Sequence, residues 1–194
     1  IKEILGRDRD FRWFLAVRIA SLIATIGYAF YTVYAVQNLG VSKIEIGIMT
    51  GLWMGAKIVA NIGMGWLGDR LSHRLVMEAG LIALALSSLL AWWAPASAWF
   101  YLVFALAAAG DVAIWTVGIS MTLEFGREEE RPAYIGMANT LVAPASILAP
   151  FLGGWLASSF GFSAAFAASA LGALSAAGIL HYRVRGREAE ESAD

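Results

Sequence analysis

Two opposite charges deep in apolar segments are the side chains of this sequence best suited to chemistry. Lys57 lies twelve residues before Asp69 of a polar loop, which is about 18 Å along a helix and therefore near the middle of a bilayer. Asp111 lies about as deep in another apolar segment. An unpaired charge at this depth costs on the order of 3 kcal/mol or more. We therefore expect Lys57 to pair with Asp111, or each charge to face a wet cavity.

Further polar side chains accompany this predicted pair. Asn61 lies one turn from Lys57, and Arg18, Thr25 and Tyr28 share one face of the first apolar segment because they recur at helical spacing. We interpret these residues as a site for a solute and a proton, since protonation and solute binding at Asp111 would compete for the same partner. The alternative is a fixed ion pair that joins two helices.

Three of the candidates have simpler interpretations. Arg18 lies closer to a segment end, where its side chain could merely extend to the headgroups. Tyr28 and Trp115 could line a cavity or simply fill it. Asn139 adds an amide within the fifth apolar segment, and we include it among the residues that could contact a solute.

The composition indicates an integral membrane protein. Hydrophobic residues make up 59% of the chain and charged residues 15%, with a mean hydropathy of +0.67, far from the values of soluble domains. Six apolar runs are long enough to cross the hydrocarbon layer as helices, and we predict an all-α fold. The predicted spans are 14–36, 45–67, 75–93, 99–121, 134–157 and 164–182.

The basic residues are distributed asymmetrically over these six spans. Lys43 is the only base predicted on one side, and the other side holds Lys2, Arg7, Arg9, Arg12, Arg70, Arg74, Arg127, Arg131, Arg183, Arg185 and Arg187. By the positive-inside rule both termini are expected in the cytoplasm, with the protein in the cell (inner) membrane.

Several functional classes are disfavoured. The chain has no cysteine and only two histidines, so we expect no disulfide, no metal site and no cofactor. A net charge of −1 gives no indication of nucleic-acid binding. No cleavable signal peptide is evident, because the first apolar run is too long.

The polar loop between the second and third predicted spans carries a recognisable motif. It reads Gly65-Trp66-Leu67-Gly68-Asp69-Arg70-Leu71-Ser72-His73-Arg74. The spacing resembles the signature loop of the major facilitator superfamily, Gly-x-x-x-Asp-Arg/Lys-x-Gly-x-Arg/Lys, with Gly65, Asp69, Arg70 and Arg74 matching. Ser72 stands where the family usually has glycine, as in the relaxed copy of the C-terminal half.

The resemblance implies the architecture of half a transporter. It implies two inverted three-helix repeats, with spans one, two, four and five lining a central cavity. It also implies a charge network of Asp69, Arg70 and Glu124 that stabilises the outward-open state. The alternative is a solvated ion pair that contributes little free energy. We expect a lead-in at 1–13, a transmembrane domain at 14–182 and a cytoplasmic tail at 183–194.

The leading hypothesis is a secondary transporter of a small solute that needs a second half. That half is either the N-terminal part of a longer chain, which we prefer, or another copy of this chain. A membrane scaffold or receptor is a rival. An intramembrane serine protease using Ser120 and His181 is the least favoured, because the flanking glycine and partner asparagine are missing.

Overall fold

The computed structural model describes residues 2–184, apart from the side chains of residues 2 and 3, and this range is almost entirely helical. Its α-helices, in chain order, are α1 (Lys2–Arg7), α2 (Arg9–Ala24), α3 (Ile26–Leu39), α4 (Lys43–Arg70), α5 (His73–Trp93), α6 (Trp99–Val112), α7 (Gly118–Thr122), α8 (Arg131–Phe160) and α9 (Phe162–Arg183). A π-helical turn at Ala113–Val117 joins α6 to α7, and a 3-10 turn at Glu128–Glu130 precedes α8.

Six of the helical segments are long and apolar enough to cross a membrane. In order, spans 1 to 6 are Arg9–Leu39, Lys43–Arg70, His73–Trp93, Trp99–Thr122, Glu128–Phe160 and Phe162–Arg183. Each contains the whole of its predicted counterpart, which confirms the all-α fold class with six spans. The tail expected at 183–194 lies outside the described residues beyond position 184.

Polar caps and glycines at the connections explain where the spans begin and end. Asp8 accepts a hydrogen bond from the Phe11 backbone N–H (2.8 Å), so span 1 starts at Arg9, before the apolar run. Ser42 forms a capping box with Glu45 at the start of span 2. Gly40 ends span 1 in the left-handed region, at a φ of 65° that a larger side chain rarely adopts.

Span 1 packs closely on span 6 through small and hydroxyl side chains. A β-carbon on Gly27 would lie 2.6 Å from the Ser169 hydroxyl, so only glycine fits at this contact. The buried Tyr31 hydroxyl pairs with Ser88 (3.0 Å), and Ser88 pairs with Ser169 (2.8 Å). These bonds satisfy polar groups that water cannot reach, and they join spans 1, 3 and 6.

Burial divides the six spans into two sets. In spans 1, 3, 4 and 6, between 50% and 61% of the apolar window is buried within the chain. In span 2 this share is 6%, and in span 5 it is 22%. Spans 2 and 5 therefore present most of their surface away from the packed core of the described chain.

One end of the bundle collects the basic side chains, and we call it the basic end. Arg7, Arg70, Arg74, Arg127 and Arg183 lie there. Arg7 forms a two-pronged ion pair with Glu130 (2.8 and 2.9 Å), and this hydrogen bonding raises the pKa of Arg7 above its ordinary value. The contact ties the segment before span 1 to the start of span 5.

Candidate functional site

The structure brings Lys57 and Asp111 together at the middle of their spans. The Lys57 Nζ lies 2.5 Å from the Asp111 Oδ2. Lys57 is fourteen residues from the start of span 2 and thirteen from its end, and Asp111 is twelve residues from the start of span 4 and eleven from its end. Each charge is therefore about 16–21 Å from either end of its helix. At this depth each charge is the other's counter-ion.

The second oxygen of the Asp111 carboxylate is also occupied. The Tyr28 hydroxyl on span 1 donates to the Asp111 Oδ1 over 3.3 Å. The carboxylate thus links three spans, with Lys57 on span 2 and Tyr28 on span 1. The side chain of Asp111 is 8% exposed and that of Lys57 is 32% exposed, so the lysine is the accessible member of the pair.

An aromatic ring that we did not single out from the sequence completes the surroundings of the lysine. The Lys57 Nζ lies 4.7 Å from the ring centroid of Trp53, one helical turn earlier on span 2. The ring face attracts the ammonium electrostatically and orients it. The four-residue spacing of Trp53 and Lys57 was a usable signal, because residues four apart are neighbours on a helix.

A π-helical turn, which the sequence analysis also missed, begins two residues after Asp111. It spans Ala113–Val117, and such turns often mark functional sites in helices. Within it, Thr116 donates to the Asn61 amide oxygen (2.9 Å), and Asn61 in turn donates to the Lys57 backbone carbonyl (2.9 Å). Asn61 therefore bridges the helix turn that carries Lys57 to the turn that follows Asp111.

Arg18 lies inside the bundle near the end of this π-helical turn. Its side chain is buried, with 4% relative exposure, and its Nη1 donates to the Gly118 carbonyl over 3.2 Å. The same carbonyl accepts a hydrogen bond from the Thr122 hydroxyl (2.7 Å). Arg18 consequently does not extend to the surface of the bundle, and in the described residues it forms no ion pair.

The other predicted contact residues lie in different surroundings. Thr25 interrupts the helix of span 1, and its hydroxyl donates to the Leu22 carbonyl (2.7 Å). Trp115 is 43% exposed within the π-helical turn. Asn139 is exposed on span 5, and its side chain has no hydrogen bond within the described range. Of the predicted set, Lys57 and Tyr28 contact Asp111, Asn61 bonds to the Lys57 backbone, and Tyr28 also interacts with Thr25 and Trp115.

The motif loop forms interactions other than the expected network. Arg70 stacks on Trp66, with its guanidinium carbon 4.1 Å from the ring centroid. Glu124 pairs instead with His73, the Nδ1 and Oε1 atoms being 2.6 Å apart. Over residues 2–184, no ion pair joins Asp69 to Arg70 or to Glu124. His73, which sequence reasoning passed over, connects the start of span 3 to the end of span 4.

Two further residues of the motif have clear local roles. Arg74 donates to the His181 backbone carbonyl, which joins spans 3 and 6. Ser72 has an extended backbone (φ −169°) and accepts from the Leu75 N–H (3.2 Å), so it caps span 3. The departure from the usual glycine is thus compatible with this loop, since an extended conformation needs no glycine. Gly65 is exposed on the last turns of span 2.

The residues proposed for a protease do not meet in the structure. The Ser120 hydroxyl donates to the Thr116 carbonyl (3.3 Å). The His181 Nδ1 lies 3.0 Å from the Glu78 carboxylate. A serine nucleophile needs its histidine within hydrogen-bond reach, and this pairing does not occur here.

These observations define a polytopic helical membrane protein with a polar, charged site between its spans. The chain matches the Major Facilitator Superfamily over residues 13–194 and belongs to it. Its general class is therefore that of major facilitator transporters, and its six spans are consistent with one half of that fold. No curated protein matches the chain.

Proposed function

We propose that the protein carries out secondary active transport of a small solute by alternating access, coupled to protons. The observation that carries the proposal is the Lys57–Asp111 ion pair at mid-span, with the lysine partly accessible and the carboxylate buried behind it. A charged pair at this depth is costly, and such residues usually mark ion or substrate pathways.

The pair provides a simple way to couple a proton to a solute. With Asp111 ionised, Lys57 is neutralised by the carboxylate. Protonation of Asp111 removes that counter-charge and leaves the ammonium free to bind a solute. Because the solute binds Lys57 and not Asp111 in this scheme, proton and solute binding favour each other instead of competing, and they are linked by a coupling free energy.

Replacing Asp111 with Asn tests this coupling. We expect uptake driven by a pH gradient to be lost and solute exchange to persist, because the amide cannot carry a proton but keeps the shape of the site. The matched control is Glu129→Gln, which makes the same charge change at an exposed residue outside the site. Coupled uptake that continues undiminished in the Asp111→Asn variant would refute the assignment.

A second half of the transporter is proposed to cover spans 2 and 5. Supporting this, Gly47, Gly51 and Gly55 on span 2 have no atom of another helix within 4 Å of an added β-carbon, so this small-residue ridge is unpacked within the chain. An apolar groove of about 530 Å³ also runs along span 2. Small residues allow close approach of another helix in a membrane.

The second half is either the N-terminal part of a longer chain, giving twelve helices, or a second copy of this one. The mass of the native gene product, measured in detergent and corrected for bound lipid, distinguishes them. A monomer of about twice this chain's mass supports the twelve-helix arrangement. A dimer of chains of this length supports the half-size homodimer.

The basic end is proposed to face the cytoplasm, with both termini on that side of the inner membrane. The charge asymmetry across the spans supports this orientation. Since the chain contains no cysteine, single cysteines at positions 43 and 129 give unambiguous labelling. A membrane-impermeant maleimide should label position 43 from outside intact cells and position 129 only after lysis, and the opposite pattern would reverse the orientation.

A further inference from the structure

We infer that the transported solute is a small organic monoanion with an apolar, aromatic-sized body, bound through its anionic group to Lys57. The inference rests on the proposed function and specifies the substrate class of the same site. Three observations carry it: the lysine is the accessible member of the ion pair, the interior of the bundle has an excess of positive charge, and indole rings lie beside Lys57 and Tyr28.

The ion pair presents a cation, not an acid, to an approaching solute. Lys57 is 32% exposed and Asp111 8% exposed. Both carboxylate oxygens are already bonded, one to Lys57 and one to Tyr28. An ammonium has three N–H donors, and Asp111 is the only hydrogen-bond or ion-pair partner of the Lys57 side chain in the described residues. The remaining N–H groups are available to an acceptor on the solute.

The interior of the bundle carries an excess of positive charge. In the described spans, three charged side chains lie more than eight residues from both ends of their span, and these are Arg18, Lys57 and Asp111. Arg18 is buried, and within the described residues a backbone carbonyl is its only hydrogen-bond partner. Two cations and one carboxylate give a net charge of +1 in a low-dielectric region, which favours an anion over a neutral or cationic solute.

One aromatic ring lies against the exposed ammonium and a second lies beside Tyr28. The Trp53 ring contacts Lys57, and Trp115, which is 43% exposed on the π-helical turn that begins two residues after Asp111, interacts with Tyr28. The negative ring face holds the ammonium and repels a carboxylate. A solute that fits therefore places its anionic group on the Lys57 N–H groups and its apolar body beside the indole rings.

The exchange of counter-ions balances in charge. Asp111 takes up one proton supplied by the proton gradient, and its ion pair with Lys57 is lost. The anion of the solute then accepts a hydrogen bond from the ammonium, which keeps all three of its protons. The pair has no net charge before the exchange. The protonated acid, the ammonium and a monoanion also sum to zero. One proton therefore accompanies one monoanion.

Among the described residues, Tyr28 and Lys57 are the only titratable groups bonded to the Asp111 carboxylate. Span 1 contributes Tyr28, span 2 contributes Lys57, and span 3 faces this part of span 4 with Gly80 and Leu84. The charge change of the site is accordingly assigned to the carboxylate of Asp111.

A matched ligand panel on the full-length purified protein tests the inference. Benzoate and phenylacetate supply the anions, benzamide and phenylacetamide the neutral counterparts, and benzylamine and phenethylamine the cations. The readout is the shift in Tm with ligand concentration at pH 6 and pH 8. The variants are Lys57→Gln, Asp111→Asn and the control Lys43→Gln, an exposed lysine at the end of the same helix.

We expect only the two anions to raise Tm, and more strongly at pH 6 than at pH 8. The shift should vanish in Lys57→Gln and persist in Lys43→Gln. In Asp111→Asn the anion should bind at least about tenfold more tightly at pH 8 than in the unaltered protein, the effect of about one charge-assisted hydrogen bond, and its pH dependence should disappear.

Other outcomes overturn the inference, and they separate it from the proposed function. If the amides or amines raise Tm as much as the anions, or if no compound does, the monoanion class is wrong. Binding of a neutral or cationic compound that still requires Lys57 and Asp111 would leave the proposed function standing. The proposed function itself is tested separately: it fails if proton-coupled uptake continues undiminished in the Asp111→Asn variant.

Discussion

Replacing Lys57 and Asp111 singly and together measures how strongly the mid-membrane pair is coupled. At 2.5 Å and an effective dielectric constant of about 20, the gross attraction is about 7 kcal/mol. Desolvation of the two charges cancels most of this. We therefore expect a coupling free energy of about 2–3 kcal/mol between the two side chains.

The two single variants should not cost the same. Lys57→Met leaves a carboxylate that is 8% exposed without its counter-ion, and we expect a loss of about 3 kcal/mol. Asp111→Asn leaves an ammonium that is 32% exposed and still has Trp53 as a cation–π partner, so a loss of about 1–2 kcal/mol is expected. The cost of Lys57→Met should fall at lower pH, because a protonated carboxyl needs no counter-charge.

The assay is reversible unfolding of the full-length protein in mixed micelles, followed by tryptophan fluorescence. The double variant should be less destabilised than the sum of the singles by the coupling free energy. Lys43→Met serves as the control for removing a lysine from span 2. Additive losses, with a coupling below about 0.5 kcal/mol, would mean that the contact contributes nothing and would refute the reasoning.

Three further sets of substitutions test how the helices are packed and capped, each measured by the same unfolding assay. Gly80→Ala should lower the free energy of unfolding by about 1–3 kcal/mol, because its new methyl group would lie 2.1 Å from a span 4 side chain. The control Gly178→Ala, with open space around it, should be neutral or slightly stabilising. Equal effects of the two substitutions would contradict the close packing at Gly80. Ser72→Ala should cost about 1 kcal/mol and Ser72→Gly only a few tenths, and a larger loss for glycine would argue against a capping role. His73→Gln and Glu124→Gln should each cost less than about 1 kcal/mol, since the pair is partly exposed, and the double variant should cost no more than either single one.

The six spans were predictable because the hydrocarbon thickness fixes how long an apolar helix must be. The helices extend beyond the predicted spans where capping decides their ends, as at Asp8. The approach of Lys57 to Asp111 could be anticipated because two charges at mid-depth have few other ways to avoid lipid. The use of this pair by a proton and a solute remains a prediction.

The π-helical turn at Ala113–Val117 has no comparable local signal. Gly80 on span 3 packs against Ala113, and Arg18 and Asn61 bond to groups in or just after the turn. This geometry depends on three other spans, which the sequence of span 4 alone does not specify. The same holds for His73 and Glu124, whose contact depends on how the ends of spans 3 and 4 are placed.

The most direct test of the central claim is an infrared difference measurement of the carboxyl groups of the purified full-length protein as the pH is lowered. If the carboxylate exchanges its lysine partner for a proton, the unaltered protein should show the carbonyl band of a protonated carboxyl at low pH. This band should be absent in Asp111→Asn. A set of bands that is identical in the two proteins, across the pH range over which uptake changes, would contradict it.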